Sequence, residues 1–324
     1  MKKFLLTALM SAFVVAGVLP AAAARFPEKP ITIVVPFKAG GGVDVATRFI
    51  ATAGERHLGV PVVIDNKPGG SGLTGSAEVA KANPDGYTLL ANTCAVYTVA
   101  PHIYKAPYDP MKAFIPLLKL GNSPMLMVAG PKAPAATFEE FVKYAKANPG
   151  KVTVGCAGLG DISGIQASRA FAAMGIKIRL IPFNGAAETT ANVLGGHVMY
   201  GNVSDSTAMP HIESGKLKVF FEFGGAPGKY LKDVPILDNL GYPGASTPYY
   251  RAIVAPAGTP KDVVDTLRTG LLKMAEDPEV LKLFDNVKAP HEGFSNDSEA
   301  IRKQMEKEYA EFGQIVKDLG LSKK

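Results

Sequence analysis

The stretch Ile31-Thr32-Ile33-Val34-Val35-Pro36-Phe37-Lys38-Ala39-Gly40-Gly41-Gly42-Val43-Asp44 determines the fold prediction. Its β-branched start predicts a buried strand, and the glycines that follow predict a tight turn. The apolar spacing after the turn predicts a helix, whose first N–H groups lack intrahelical acceptors and lie at the positive end of the helix dipole. A strand, a glycine turn and a helix N-terminus in this order form a cradle for phosphate or carboxylate, although an ordinary βα turn has the same pattern.

β-branched runs alternate with helical patterns along most of the chain, which predicts an α/β fold with largely parallel sheets. The predicted helices include Val43–Leu58, Ile165–Met174 and an amphipathic helix over Ser298–Leu319. The predicted strands are Ile31–Val35, Val62–Asp65, Thr88–Ala91, Met125–Val128, Lys151–Gly155, Ile178–Pro182, Val198–Asn202, Val219–Phe223 and Ala252–Ala255.

The first 24 residues have the pattern of a secretory signal peptide. Lys2 and Lys3 precede an uncharged apolar stretch over Phe4–Leu19, and Ala22-Ala23-Ala24 forms a small-residue cleavage site. No other uncharged apolar run reaches the roughly 20 residues that a membrane span needs. We therefore expect residues 1–24 to be removed and the remaining chain to be exported to the periplasm as a soluble protein.

The length of the exported chain predicts two lobes, because a single hydrophobic core rarely serves so many residues. Glycine and proline at Gly121–Pro124 and at Ala245–Arg251 indicate where the chain crosses between them. We expect lobe 1 to comprise residues 25–123 together with 246–324, and lobe 2 to comprise residues 124–245.

Composition excludes several kinds of partner. Removal of the signal peptide lowers the net charge from +6 to +4, and no block of basic residues occurs, so nucleic acid binding is not indicated. The five histidines are scattered, and none has metal-ligand spacing to a cysteine or an acid. Gly70–Gly75 matches the dinucleotide fingerprint, but no acid follows at the position expected for a ribose contact. The sequence therefore predicts no metal and no cofactor.

The two cysteines, Cys94 and Cys156, do not form a disulfide-dense scaffold. They follow different predicted strands, and the sequence leaves open whether they pair. Neither a nucleophile elbow nor a P-loop motif occurs. These features favour binding over catalysis, with an exported hydrolase that uses Cys156 or a serine as nucleophile as the alternative.

A second glycine-rich turn, Cys156–Gly164, follows the predicted strand Lys151–Gly155 and precedes a helical pattern. In parallel sheets, ligands bind beyond the carboxyl ends of the strands. We therefore expect the two glycine turns, one in each lobe, to face each other across a cleft. Two unrelated βα turns would show the same pattern.

Six motifs occur in a fixed order over nearly all of the exported chain. They are Phe26-Pro27-Glu28-Lys29-Pro30-Ile31, Val34-Val35-Pro36-Phe37 continuing to Gly41-Gly42-Val43-Asp44, Asp65-Asn66-Lys67-Pro68-Gly69, Pro84-Asp85-Gly86-Tyr87-Thr88-Leu89-Leu90, Leu194-Gly195-Gly196-His197 and Ala255-Pro256-Ala257-Gly258-Thr259-Pro260. Through these motifs the sequence resembles the periplasmic substrate-binding receptors of tripartite tricarboxylate transporters, the Bug receptors. The resemblance implies a two-lobed, type II periplasmic-binding-protein fold of the venus-flytrap kind, with its ligand cleft between the lobes.

The resemblance also implies that two loops hold a ligand carboxylate, largely through backbone N–H groups and bridging waters. The first loop corresponds to Phe37, Gly41, Gly42 and Asp44, and we expect Asp44 to fix the helix start and a water molecule. The second loop corresponds to Ala157, Gly158, Gly160 and Asp161. This chain departs from the family here, because relatives commonly have serine and histidine where it has Asp161 and Gly164. A carboxylate at residue 161 would repel an anion unless it points away, is protonated or meets a cation, so a ligand with an amine or another donor becomes an option.

Further candidate ligand-binding residues lie at predicted strand ends. Arg251 is expected either to pair with a distal ligand carboxylate or with Asp205, or to lie on the hinge surface. The phenylalanines among the candidates would line the pocket or belong to the core. The remaining candidates are Asn92, Thr93, Phe183 and Asn202.

The sequence thus predicts a monomeric periplasmic solute-binding protein without enzymatic activity. Its ligand is expected to be a small organic carboxylate: a dicarboxylate or tricarboxylate, an aromatic acid or an amino acid. The expected partners are the membrane permease subunits of a tripartite tricarboxylate transporter. A receptor that instead serves signalling would have the same ligand chemistry, and the sequence leaves that choice open.

Overall fold

The computed structural model describes residues 26–224, 229–247 and 249–322. The predicted signal peptide, residues 1–24, lies outside the described residues. The strands are β1 Ile31–Val35, β2 Val62–Asn66, β3 Thr88–Thr93, β4 Phe114–Asn122, β5 Met125–Ala129, β6 Val152–Cys156, β7 Ile178–Pro182, β8 Tyr200–Ser204, β9 Lys218–Glu222, β10 Tyr250–Pro256 and β11 Phe294–Ser295.

Helices cover the strands on both sides of the molecule. Short 3₁₀ turns lie at Gly70–Gly72 and Leu237–Leu240. The helices are α1 Gly42–Ala51, α2 Gly54–Leu58, α3 Leu73–Ala80, α4 Ala95–Thr98, α5 Ala100–Ile103, α6 Phe138–Ala147, α7 Ile162–Ala173, α8 Ala186–Leu194, α9 Asp205–Glu213, α10 Lys261–Ala275, α11 Pro278–Asn286 and α12 Ser298–Asp318.

The strands form two separate sheets. The first has the order β2-β1-β3-β10-β4-β11, and the second has the order β7-β6-β8-β5-β9. We use "lobe 1" for the part built on the first sheet and "lobe 2" for the part built on the second. Together with the helices on their faces, the sheets confirm the predicted α/β fold in two lobes.

Both sheets contain antiparallel pairs, which corrects the expectation of largely parallel sheets. β1 is parallel to β2 and β3, but β10 is antiparallel to β3 and β4. Likewise, β6 is parallel to β7 and β8, but β5 is antiparallel to β8 and β9. Two of the reversed strands, β5 and β10, directly follow a crossing between lobes, where no βα unit sets the strand direction. The short edge strand β11 is also reversed, since it is antiparallel to β4.

The two crossings run side by side. The chain leaves lobe 1 between β4 and β5 and returns between β9 and β10. At the first crossing, the Ser123 N–H donates to the carbonyl oxygen of Tyr249 on the returning segment, at 3.0 Å. The lobe limits 123/124 and 245/246 themselves stay a prediction.

One apolar cluster lies within lobe 1 and a smaller one within lobe 2, and the largest continues from one lobe into the other. In lobe 1, Ile31, Ile33 and Val35 of β1 are fully buried, as a β-branched central strand requires. Helix α12 buries Ile301, Met305, Phe312 and Val316, whose spacings of four, seven and four residues place them on one face of the helix. Fully burying one such side chain stabilises the fold by roughly 1.5–3 kcal/mol. Among the described helices, none combines the length and the apolar character needed to cross a bilayer.

Candidate functional site

A small cavity lies between the lobes at the carboxyl ends of β1, β3 and β8. Its volume is about 30 Å³, room for only one or two water molecules in the present arrangement. Six residues predicted for the site line it: Phe37, Gly41, Gly42, Thr93, Ala157 and Asp161. It is also lined by residues that the sequence did not single out: Val43, Met125, Ile162, Ala186, Ser204 and Tyr249.

The lobe 1 wall is the N-terminus of α1. Its N-cap is Gly41, which has no side chain, so no side-chain oxygen caps this helix. The N–H groups of Gly42, Val43 and Asp44 have no intrahelical acceptor and lie at the positive end of the helix dipole. This end of the helix therefore offers donors to an anion in the cleft, as the sequence predicted.

Asp44 holds this loop in shape. Its Oδ2 accepts from the Gly40 N–H at 2.9 Å, its Oδ1 accepts from Asn66 Nδ2 at 2.9 Å, and Arg48 Nε donates to both oxygens. Asn66 Nδ2 also donates to the Phe37 carbonyl at 3.1 Å. Burial raises the pKa of Asp44, but the hydrogen bonds from Arg48, Gly40 and Asn66 outweigh it, and the net pKa lies below its usual value. Asp44 is thus an ionised support of the turn.

The lobe 2 wall contains Asp161, which is the N-cap of α7. Its Oδ1 accepts from the N–H of Ser163 at 3.0 Å and from the Ser163 hydroxyl at 2.8 Å. Its Oδ2 accepts from Thr93 Oγ1 of lobe 1 at 3.3 Å. Burial raises the pKa of this carboxyl despite these donors. Asp161 therefore lines the cleft and does not point away from it.

The second glycine loop does not mirror the first. The Ala157 N–H donates to Ser163 Oγ at 2.9 Å, the Gly160 N–H donates to Ser71 Oγ at 3.3 Å, and the Asp161 N–H donates to the Gly158 carbonyl at 3.2 Å. The expectation that the main-chain amides of this loop are free to bind a ligand is therefore wrong for Ala157, Gly160 and Asp161. The physical reason is local: the side chain of Asp161 caps α7, and Ser163 and Ser71 take up the neighbouring amides.

Arg251 and Asp205 lie beside the cavity, and both side chains are only 2% exposed. Arg251 Nη2 is 3.9 Å from Asp205 Oδ1, and Arg251 Nε donates to the Tyr249 hydroxyl at 3.1 Å. Asp205 Oδ1 accepts from the Ser206 N–H. Burial raises the pKa of Asp205 to about 6, although Arg251 lowers it. Arg251 is thus buried next to the cleft and does not lie on the hinge surface.

The lobes approach each other closely at Gly42. A Cβ atom at this residue would lie 2.7 Å from Ser204 Oγ, 2.9 Å from Arg251 Nη2 and 3.0 Å from Ser206 Oγ. The backbone also joins the lobes, since the Lys38 N–H donates to the Asn184 carbonyl at 3.2 Å. Absence of a side chain at Gly42 is therefore required for this degree of closure.

The remaining predicted residues support the cleft from behind. Asn92 is buried, and its side chain bonds Ser76 Oγ and the Thr93 N–H. Asn202 donates to the Ser163 carbonyl and to Gln166 Oε1, and so fixes the start of α7. Two further candidates have no lining role in the cavity: Gly158, which abuts Ser71, and Phe183, which packs beside Gly155.

A larger cavity of about 570 Å³ lies on lobe 2, away from the cleft. Its lining includes four alanines and two prolines, together with His211, Lys216 and Lys218. Its acid, Glu140, already accepts from the Ala136 N–H at 2.8 Å. We assign the functional site to the smaller interlobe cavity because both lobes and the open end of α1 meet there.

The cysteines are free and buried, so the open question of a disulfide is answered by two separate thiols. Burial raises the pKa of Cys94 well above its ordinary value and that of Cys156 to about 12. A thiol with such a pKa is not a nucleophile at neutral pH. Across residues 26–224, 229–247 and 249–322, no group of three metal-ligating side chains occurs.

Two sheets joined by paired crossings, with an open helix N-terminus in the cleft between them, define a solute-binding protein. Residues 46–321 match the tripartite tricarboxylate transporter family receptor. The chain belongs to that family, as its motifs predicted. Membership implies a periplasmic location and a role in solute binding rather than hydrolysis.

Relatives of known sequence or structure agree with this assignment. The chain is 34% identical over 269 residues to the Cupriavidus necator protein named "UPF0065 protein in gbd 5'region", which covers 82% of this chain and 81% of that protein. It is similar to the structure of the periplasmic binding protein BugD, with a TM-score of 0.86 and 30% identity over 92% of this chain and 100% of BugD. It is also similar to MatC from Rhodopseudomonas palustris with bound malate, with a TM-score of 0.83 and 26% identity over 90% of this chain and 100% of MatC. The two-lobed periplasmic-binding-protein fold is thereby confirmed.

Proposed function

We propose that this protein binds a small organic carboxylate in the interlobe cavity and presents it to the membrane subunits of a tripartite tricarboxylate transporter. The observation that carries the proposal is the uncapped N-terminus of α1, whose donors face lobe 2 across the cleft. The malate bound to MatC supports a carboxylate as the ligand class.

The binding energy would come from fixed dipoles that need no reorganisation. A carboxylate at Gly42 and Val43 would accept charge-assisted hydrogen bonds from main-chain N–H groups, each contributing roughly 1.5–3 kcal/mol in a dry site. The dipole of α1 would add roughly 0.3–1 kcal/mol. Because the cavity is narrow, the ligand enters when the lobes part and is enclosed when they close.

The proposal includes a monomeric receptor that is not an enzyme and needs no cofactor. The buried, neutral thiol of Cys156 supports this, because it removes one of the two nucleophiles that the hydrolase alternative would use, the other being a serine. The ion pair between Lys38 and Glu188, with a separation of 3.1 Å across the lobes, would help to hold the closed form that the permease recognises.

A thermal-shift screen of the chain without residues 1–24 tests the proposal. The probes are succinate, malate, aspartate, citrate and benzoate, and the matched controls are the uncharged amides of the same carbon skeletons. A ligand at 100 times its dissociation constant should raise the free energy of unfolding by about 2.7 kcal/mol, whereas its amide should not. No stabilisation by any acid would contradict the proposal, and turnover of an ester panel would favour the hydrolase.

A further inference from the structure

The turn between β2 and α3 contains a serine in a backbone conformation that favours glycine. Ser71 has φ 54° and ψ 37°, in the left-handed region, and the glycines on both sides of it also have positive φ angles. Glycine adopts this region readily, whereas a residue with a Cβ atom is strained there. Strain of this kind persists where the surrounding structure holds it, and it is a sign of a functional role. The role of this serine must come from its hydroxyl group, because the backbone alone would favour glycine.

The Ser71 side chain contacts lobe 2. Its Oγ accepts a hydrogen bond from the Gly160 N–H at 3.3 Å. A Cβ atom at Gly158 would lie 2.5 Å from the same oxygen, so the absence of a side chain at residue 158 leaves room for the hydroxyl. The contact therefore joins a strained turn of lobe 1 to the second glycine loop, which belongs to lobe 2.

Gly160 makes a second close approach to lobe 1. A Cβ atom at this residue would lie 2.6 Å from Tyr104 Cε2 and 3.4 Å from the Cα of Ala100. The φ angle of Gly160 is outside the left-handed region, so packing against Tyr104, and not the backbone conformation, requires glycine here. Gly158 and Gly160 thus make room for lobe 1.

The loop that Ser71 contacts carries part of the cavity wall. The Asp161 N–H donates to the Gly158 carbonyl at 3.2 Å, and Asp161 lines the cavity and caps α7. A shift of this loop would therefore move the wall at Asp161. Because the hydrogen bond between Ser71 and Gly160 joins groups on different lobes, it is lost when the lobes part and forms again when they close.

We propose that Ser71 is a positioning residue for ligand binding: its hydroxyl holds the second glycine loop against lobe 1 in the closed form and thereby slows release of the ligand. This inference rests on the proposed function. Ser71 does not line the cavity, so it acts on the lifetime of the complex and not on the class of acid that binds.

Rates of ligand release from the chain without residues 1–24 test the inference. The probe is the acid among succinate, malate, aspartate, citrate and benzoate that stabilises the protein most. Stopped-flow tyrosine fluorescence follows its release, because the chain has no tryptophan. Ser71→Ala should speed release by roughly 3- to 10-fold, as expected for the loss of one hydrogen bond, with little change in the association rate.

Two further variants separate the hydroxyl from the backbone and from packing. Ser71→Gly should speed release by a similar factor, although glycine relieves the backbone strain. Gly160→Ala keeps the N–H donor but places a methyl group against Tyr104, and should also speed release. The matched control is Ser214→Ala, an exposed serine at the end of α9, which should leave both rates unchanged.

The melting temperature of each ligand-free variant distinguishes positioning from a structural role. The Ser71 variants should melt at the wild-type temperature or above it, whereas a merely structural serine would lower that temperature and leave the release rate unchanged. Release at the wild-type rate from Ser71→Ala or Ser71→Gly would overturn the inference and leave a carboxylate receptor intact. Failure of every organic acid to bind would overturn both proposals.

Discussion

Replacing Gly42 by alanine places a methyl group at a point of close contact between the lobes. The new Cβ would lie 2.7 Å from Ser204 Oγ and 2.9 Å from Arg251 Nη2, closer than Cβ atoms approach other atoms in proteins. Both neighbours are ends of side chains, and one of them is on each side of the hinge. The lobes or these side chains must therefore move by several tenths of an ångström before the cleft can close.

The expected cost falls on ligand binding and not on folding. Alanine is the better helix former at residue 42, by up to about 1 kcal/mol, which offsets the displacement of Arg251 within lobe 1, so the ligand-free variant should have nearly the stability of the wild type. Imperfect closure would misplace the donors of α1 and of Ser204. We expect this to weaken binding by roughly 10- to 100-fold, or about 1.4–2.8 kcal/mol.

Gly41→Ala provides the matched control, one residue away in the same turn. Its Cβ would have only ordinary contacts, with Lys38 O at 3.5 Å, and its backbone is in the extended region with φ −77°. Isothermal titration of the tightest acid of the screen measures both affinities, and small-angle scattering measures closure. Equal affinity of the Gly42→Ala and Gly41→Ala variants would refute the role of close approach at Gly42.

Three other predictions follow from the charges and thiols described above. The pKa of Asp205 is raised to about 6 in the folded protein, so the stability that its protonated form contributes is present below about pH 4 and is lost as the pH rises through 6. Urea titrations should show a loss on the order of 1–3 kcal/mol in the free energy of unfolding between those pH values for the wild type, and no such loss for Asp205→Asn. Parallel pH curves for the two proteins would contradict this prediction. Asp44→Ala should lower the free energy of unfolding at pH 7 by roughly 1–3 kcal/mol, because the part-buried hydrogen bonds from Gly40 and Asn66 lose their acceptor. Asp262→Ala in the exposed first turn of α10 should change it little, and equal effects would refute the supporting role of Asp44. Ellman's reagent should detect neither Cys94 nor Cys156 in the native protein and both after denaturation without reductant; rapid native reaction, or no thiol after denaturation, would disprove buried free cysteines.

The sequence was most informative where local pattern and packing agree. The strand Ile31–Val35 and the helix that follows its glycine turn were predicted correctly. A buried β-branched run and a helix start both depend on neighbouring residues, so a short stretch of sequence is enough to identify them. The predicted helix Val43–Leu58 is in fact two helices, α1 and α2. The break precedes Gly54, where a Cβ would lie 2.7 Å from Val62 Cγ2, so close packing of α2 on β2 decides the local course of the chain.

The part of the cleft formed by the end of β8, the start of α9 and Tyr249 could not be predicted from the sequence. Helix α9 was not predicted, because Pro210 lies inside it and its apolar residues have no strong helical spacing. The preceding strand was predicted two residues early, so Ser204 was not recognised as the last residue of β8. Tyr249 was missed because it lies among loop-forming prolines and glycines, and only the pairing of β10 with β3 brings it to the cavity.

The hydrogen bond from Ser123 to Tyr249 connects the two chain crossings, about which the lobes move, to a residue that lines the ligand cavity. Tyr249 lines the cavity, its hydroxyl accepts a hydrogen bond from Arg251 Nε, and its carbonyl joins the two crossings. A substitution of Tyr249 that changes which solute is preferred will thus also change how readily the lobes open and close. Redesign of this receptor as a sensor would do better to vary Ser206 than Tyr249, since a change there leaves the pivot untouched.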